Sequence, residues 1–183
     1  MRLAWLPATA AGVLAAVAGL VFDPDARLIW NRTGSAPIGL YGLSDDPFTR
    51  GAWVIVSARS GEADWAAARG YVGRDWPLIK RIAGLSGDEI CRESSAVFVR
   101  GIHVAEALNA DTLGRELPVW EGCKVLEADE VFLLNPHPRS IDGRYFGPIK
   151  IGDLGGTLVL LWSPDGRSAD MSVQGDAERG QEF

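Results

Sequence analysis

The longest apolar run lies at the start of the chain. Residues 3–22 carry no charge, and Thr9 is their one clearly polar side chain. As a helix, that run is roughly 30 Å long, the thickness of a bilayer core. Pro7 sits near its beginning, where a membrane helix tolerates proline. Arg2 precedes the run, while Asp23, Asp25 and Arg27 come after it. The basic residues place the N-terminus in the cytoplasm and the rest of the chain across the membrane. Ala16-Val17-Ala18 also reads as a small-x-small cleavage site for a secretory signal. The run continues through Phe22 instead of turning polar, which favours a retained anchor. Both readings export the remainder of the chain.

Beyond the anchor the periodicity is that of strands. Residues 23–46 contain Pro24, Gly34, Pro37, Gly39 and Gly42, too much punctuation for a long helix, and read as irregular. Residues 52–57 form a short apolar run with strand character. After the Ser60-Gly61 break, the Ala-rich stretch 62–69 predicts one short helix. Strands are predicted at 78–83, 97–99, 102–104, 119–120, 125–126, 131–134 and 157–162. Arg100-Gly101 between two of them predicts a tight hairpin. Many short strands with Gly and Pro turns predict a mainly β, antiparallel, closed or partly closed architecture. From Ser163 apolar residues become scarce. The organisation expected is an anchor at 1–22, one exported domain at 23–165 and a mobile tail at 166–183.

Charge narrows the partners. The net charge is −6 and no cluster of Lys and Arg occurs, which argues against nucleic acid and leaves a peptide or protein substrate. Cys91 and Cys123 suit an exported domain as a disulfide pair. His103 and His137 lack ligand spacing, so no metal or other cofactor is expected.

Three segments carry groups capable of chemistry. The first, 31–41 (NRTGSAPIGLY), begins nine residues after the apolar run and holds Ser35 among small, turn-forming residues near the membrane face. The second, 77–88, holds Lys80 between Ile79 and Ile82. A lysine with apolar neighbours is desolvated and becomes a usable base, and serine needs a base to become a nucleophile. The third, 135–149, mixes Ser140, Asp142, Arg144 and two aromatics in a loop leaving an apolar strand. Each alone also fits a plain structural reading: a turn serine, a surface lysine on an alternating strand, a turn closed by an Asp142–Arg144 ion pair.

Together the three segments resemble the bacterial type I signal peptidases, most closely the conjugative-transfer (TraF) branch. NRTGSAPIGLY fits that branch's Asn-x-Thr-x-Ser-x-Pro-x-Gly-Leu-Tyr pattern. KRIAGLSGD from Lys80 fits the family's Lys-Arg-hydrophobic-hydrophobic-Gly-x-x-Gly-Asp, and SIDGRYFG from Ser140 fits Ser-x-Asp-x-Arg-Tyr-aromatic-Gly. The resemblance runs from Asn31 to Pro148 in the family's order. Ser35 is followed by Ala-Pro, not by the Met-x-Pro of housekeeping signal peptidases, so conjugation fits better than general secretory processing.

The resemblance implies a signal-peptidase/LexA-like antiparallel β domain behind one transmembrane helix. It implies Ser35 as nucleophile and Lys80 as general base. The Thr33 hydroxyl and the Ser35 amide would form the oxyanion hole. Ser140 would hydrogen-bond the Lys80 amine, and Asp142 and Arg144 would form a supporting pair. Cys91 and Cys123 match the branch's disulfide. The activity implied is cleavage of a signal-bearing or propilin precursor at the inner membrane, from the periplasmic side, with cyclisation of the pilin as one outcome. A LexA-like self-cleaving regulator would carry a DNA-binding domain where this chain has its apolar run. A non-catalytic, membrane-anchored scaffold of a conjugation or secretion system is the competing class, and it predicts that Ser35 and Lys80 lie apart.

Overall fold

The computed structural model describes residues 28–166. The anchor expected at 1–22, and the tail expected at 166–183 apart from its first residue, lie outside the described residues. Within them the chain is mainly β, as the turn-punctuated pattern predicts. The strands are β1 (Leu28–Asn31), β2 (Gly39–Ser44), β3 (Trp53–Val56), β4 (Leu78–Gly84), β5 (Glu89–Glu93), β6 (Ala96–Val99), β7 (Ile102–Glu106), β8 (Gly122–Val125), β9 (Glu130–Leu133), β10 (Ile149–Lys150) and β11 (Leu154–Trp162). Two helices interrupt them, α1 (Gly61–Ala68) and the single turn α2 (Gly143–Phe146).

All pairings are antiparallel and fall into two sheets. The larger runs β1-β2-β11-β3-β4-β9-β10, and the smaller runs β7-β6-β5-β8. Alternation along β4 sends Leu78, Lys80 and Ile82 to one buried face. There Leu78 and Ile82 join Val54, Val56, Ala63, Val131 and Leu133 in a core roofed by α1. Ile79 points the other way and packs with Tyr41, Leu158 and Leu160. A third core, built on Ile90, Val97, Val99 and Phe132, joins the two sheets.

The hairpin at Arg100-Gly101 forms as predicted, with φ of 55° and 76° at its two central residues, the left-handed values a two-residue turn needs. The helix predicted at 62–69 is α1, capped by Ser60, whose hydroxyl accepts from the Ala63 amide. Three expectations are corrected. The stretch 23–46 is not irregular throughout, since it contains β1 and β2. The strand β5 forms where the sequence pattern predicts none, and no strand forms at 119–120. In β2 the glycines are there for packing. A Cβ at Gly39 would stand 2.1 Å from the Trp162 carbonyl oxygen, and one at Gly42 would stand 3.1 Å from Leu161. Glycine is what lets β2 lie between β1 and β11.

Candidate active site

Ser35 lies in the turn joining β1 to β2, and one side chain holds that turn in shape. Asn31 is buried at the end of β1. Its Nδ2 donates to the carbonyl oxygens of Thr33 (3.0 Å), Ala36 (3.1 Å) and Pro37 (2.9 Å). Its Oδ1 accepts from the Thr33 amide (3.0 Å) and the Thr33 hydroxyl (2.8 Å). Tyr41, fully buried in β2, adds a 2.8 Å hydrogen bond from its hydroxyl to the Pro37 carbonyl. Asn31 and Tyr41 thus fix the backbone on either side of Ser35, which is half-buried. Sequence reasoning assigns neither a role, although both stand at fixed positions of the motif.

Lys80 comes from β4, paired in register with Val54 of β3. It is 4% exposed, so the surface-facing reading of this lysine is overturned: period-2 alternation puts it with Leu78 and Ile82, not with the solvent. Burial pushes its pKa below the ordinary lysine value; the charges of Asp142 and Glu62 oppose the shift and Arg144 adds to it. Asn135 holds the strand on both sides of this residue. Its Nδ2 donates to the Ile79 carbonyl (3.0 Å), and its Oδ1 accepts from the Arg81 amide (3.1 Å).

The segment after β9 closes the site from below. Asp142 caps α2 and accepts from Arg144 Nε (2.8 Å), Arg144 Nη2 (3.1 Å) and the Asn135 amide (3.0 Å). Arg144 also donates to the carbonyls of Asn135 (2.8 Å) and Pro138 (2.9 Å). The predicted Asp142–Arg144 pair is therefore present and wholly buried. Gly143 between them is obligatory, because a Cβ there would meet the Leu133 carbonyl oxygen at 2.6 Å.

One cavity of about 660 Å³ gathers the outcome. Ser35, Thr33, Lys80 and Ser140 all line it, with Ile29, Trp30, Trp76, Leu78, Ile79 and Ile141 supplying apolar walls. Groups 45 and 60 residues from Lys80 along the chain thus line one cleft with it. Two details differ from expectation. The Lys80 amine donates to the backbone carbonyl of Ile141, and the Ser140 hydroxyl, buried next door, has no hydrogen-bond partner among the described residues. The Thr33 hydroxyl, in turn, is engaged by Asn31.

Cys91 and Cys123 form a disulfide directly across the β5–β8 pair. It staples the smaller sheet and does not line the cavity. Among the described residues, the cluster of potential metal ligands is Glu89 with Cys91 and Cys123, whose sulfurs are already bonded to each other.

The chain is similar to known proteins over most of its length. A family model described as signal peptidase, peptidase S26, matches residues 1–163. The chain is 34% identical over 172 residues to a plasmid transfer protein TraF of Escherichia coli, covering 84% of this chain and 96% of that protein. It is 32% identical over 147 residues to a probable conjugal transfer protein TraF of Sinorhizobium fredii, covering 73% and 77%. Among solved structures, a signal peptidase I from Enterococcus faecalis aligns with 63% of this chain and 100% of its own, at 19% identity and a TM-score of 0.38.

Proposed function

The chain belongs to the S26 signal peptidase family, and from that premise we propose that it is a membrane-anchored serine endopeptidase working through a Ser35–Lys80 dyad. The observation that carries this is the buried, desolvated Lys80 in the same cavity as Ser35. Neutral Lys80 takes the proton of the Ser35 hydroxyl as its oxygen attacks a scissile carbonyl. The Ser35 amide and the Thr33 hydroxyl, once turned from Asn31, receive the developing oxyanion. Lys80 then gives its proton to the leaving amine, and water or an amine resolves the acyl-enzyme.

The substrate proposed is a signal-bearing or propilin precursor, cut near the membrane in maturation of a conjugative pilus. The names of the plasmid transfer relatives support that context. The apolar cavity walls suit a peptide with uncharged side chains. Leu28 and Trp30 lie in the cavity wall and are exposed; Trp30 stacks on Trp162 at 5.7 Å, and Trp162 and its neighbour Leu161 are half exposed. Leu28 is a few residues beyond the apolar segment 3–22. These rings suit a membrane interface, and the Cys91–Cys123 disulfide suits a periplasmic domain.

The test is co-expression of a candidate propilin with wild type, Ser35→Ala and Lys80→Ala. Processing by wild type alone is expected, and the mass of the product separates hydrolysis from cyclisation. Processing that survives both substitutions would contradict the dyad.

A further inference from the structure

Among the described residues, the buried side-chain oxygens without a hydrogen-bond partner are those of Glu62 and Ser140. Both belong to the surroundings of Lys80. Ser140 lines its cavity and precedes the residue whose carbonyl holds its amine. Glu62 lies in the first turn of α1, a place where acidic residues are common but normally face water. Asp64 of the same turn does face water; Glu62 is only 4% exposed. It shares the buried face of the helix with Ala63 and Ala66. Ala63 packs on Leu78, one strand alternation from Lys80, and Ala66, one turn beyond Glu62, is part of the cavity wall.

A carboxyl buried without a partner is costly, and native folds seldom keep one without a use. We propose that Glu62 is a positioning residue for Lys80, whose buried carboxyl decides whether the amine carries a proton before substrate arrives. The proposal rests on Lys80 being the base and names what regulates it. The charged groups around the pair are Asp142 and Arg144 from the segment below the cavity and Asp153 from the turn before β11. Asp142 cannot serve as the control, because both its oxygens are taken by Arg144 and the Asn135 amide. Glu62 has no such commitment. Among the described residues it has no hydrogen-bond or ion-pair partner, and its charge acts on Lys80 through a poorly polarisable interior. Burial raises its pKa to about 7, with the Lys80 charge opposing the rise. An ionised Glu62 stabilises the Lys80 ammonium, and a protonated Glu62 releases it toward the neutral amine the reaction needs.

The chain's lysines are Lys80, Lys124 and Lys150, few enough to follow individually. With the full chain in detergent micelles and lysine labelled with ¹³C at Cε, each titrates as a separate resonance. In Glu62→Gln the Lys80 midpoint is expected to fall by about one pH unit, the order expected on losing a nearby opposite charge, while Lys124 and Lys150 stay in place. The reciprocal variant Lys80→Met is expected to move the Glu62 carboxyl titration upward, followed by its ¹³Cδ. The acid limb of processing against pH shifts downward in Glu62→Gln by the same amount as the Lys80 midpoint. A Lys80 midpoint unchanged in Glu62→Gln, or all three lysines shifting together, would overturn the role of Glu62. Loss of the dyad itself would show differently, as processing that persists in Ser35→Ala.

Discussion

Arg144 and Lys80 are both buried basic side chains, but their surroundings differ in kind. Arg144 is matched by Asp142 and by the carbonyls of Asn135 and Pro138, and the second buried arginine, Arg92, donates to the Arg144 carbonyl in turn at 2.8 Å. Among the described residues Lys80 has a single acceptor, the Ile141 carbonyl, and the Glu62 carboxyl and Ser140 hydroxyl have no hydrogen-bond partner. The Arg144 cluster resembles a structural joint, in which each polar group is satisfied. The Lys80 cluster resembles a site kept incomplete for a reaction. The fold uses its good hydrogen bonds to hold the segment below the cleft, and among the described residues commits none to the Glu62 carboxyl or the Ser140 hydroxyl.

Substitutions can break this contrast at either side. The largest effect expected is on activity: Lys80→Met should lower processing by about a thousandfold or more, since members of a dyad act as a unit. It should leave the melting temperature equal or higher, because a buried amine with one partner is replaced by an apolar chain. A melting curve of the purified variant beside its processing rate checks both halves. Next comes Arg144→Met, which strands the Asp142 carboxylate and should cost about 3–5 kcal/mol of stability in denaturant unfolding. Equal stability in that variant would erase the contrast.

Glu62→Gln should act in the opposite sense. The folded-state pKa of Glu62 is raised from 4.5 to about 7, so the fold binds that proton more tightly than the unfolded chain does. The associated stability is full below pH 4.5 and is lost as pH rises through 7. Glu62→Gln should therefore be more stable than wild type at pH 8, by up to about 3 kcal/mol, and level with it at pH 4. Unfolding curves at the two pH values read this directly. The smallest structural effect is expected from Ser140→Ala. No hydrogen bond is removed, so stability should stay within about 0.5 kcal/mol. Processing should fall by about tenfold if the hydroxyl turns to the Lys80 amine during turnover, the worth of one hydrogen bond of ~1.4 kcal/mol; unchanged processing would remove Ser140 from the mechanism.

Much of this contrast is legible in the sequence, and the rest depends on contacts between distant segments. The strands with clear apolar runs, β3, β4, β9 and β11, are readable because their side chains alternate or are buried on both faces. β2 is not, since GLYGLS looks like a turn until Leu161 and Trp162 of β11 are seen to fill the space its glycines leave. Ser35 and Lys80 are found by motif, and the inward direction of Lys80 emerges only once Leu78 and Ile82 are known to face the α1 side. Asn31 and Asn135 each stand at the edge of a segment singled out for its chemistry, which is the one signal pointing to them. Their roles as staples of the Ser35 turn and of β4 need backbone partners that no spacing predicts. Glu62 is invisible for the same reason, being one acidic residue of a short helix whose buried face no local pattern reveals.

The most direct test measures activity and stability on the same samples. Purified full-length wild type, Ser35→Ala and Lys80→Met would be mixed with a propilin precursor in detergent, and each melted under the same conditions. Both variants are expected to leave the precursor intact while melting no lower than wild type. Cleavage that persists in either variant, or activity lost only together with the fold, would contradict a Ser35–Lys80 dyad.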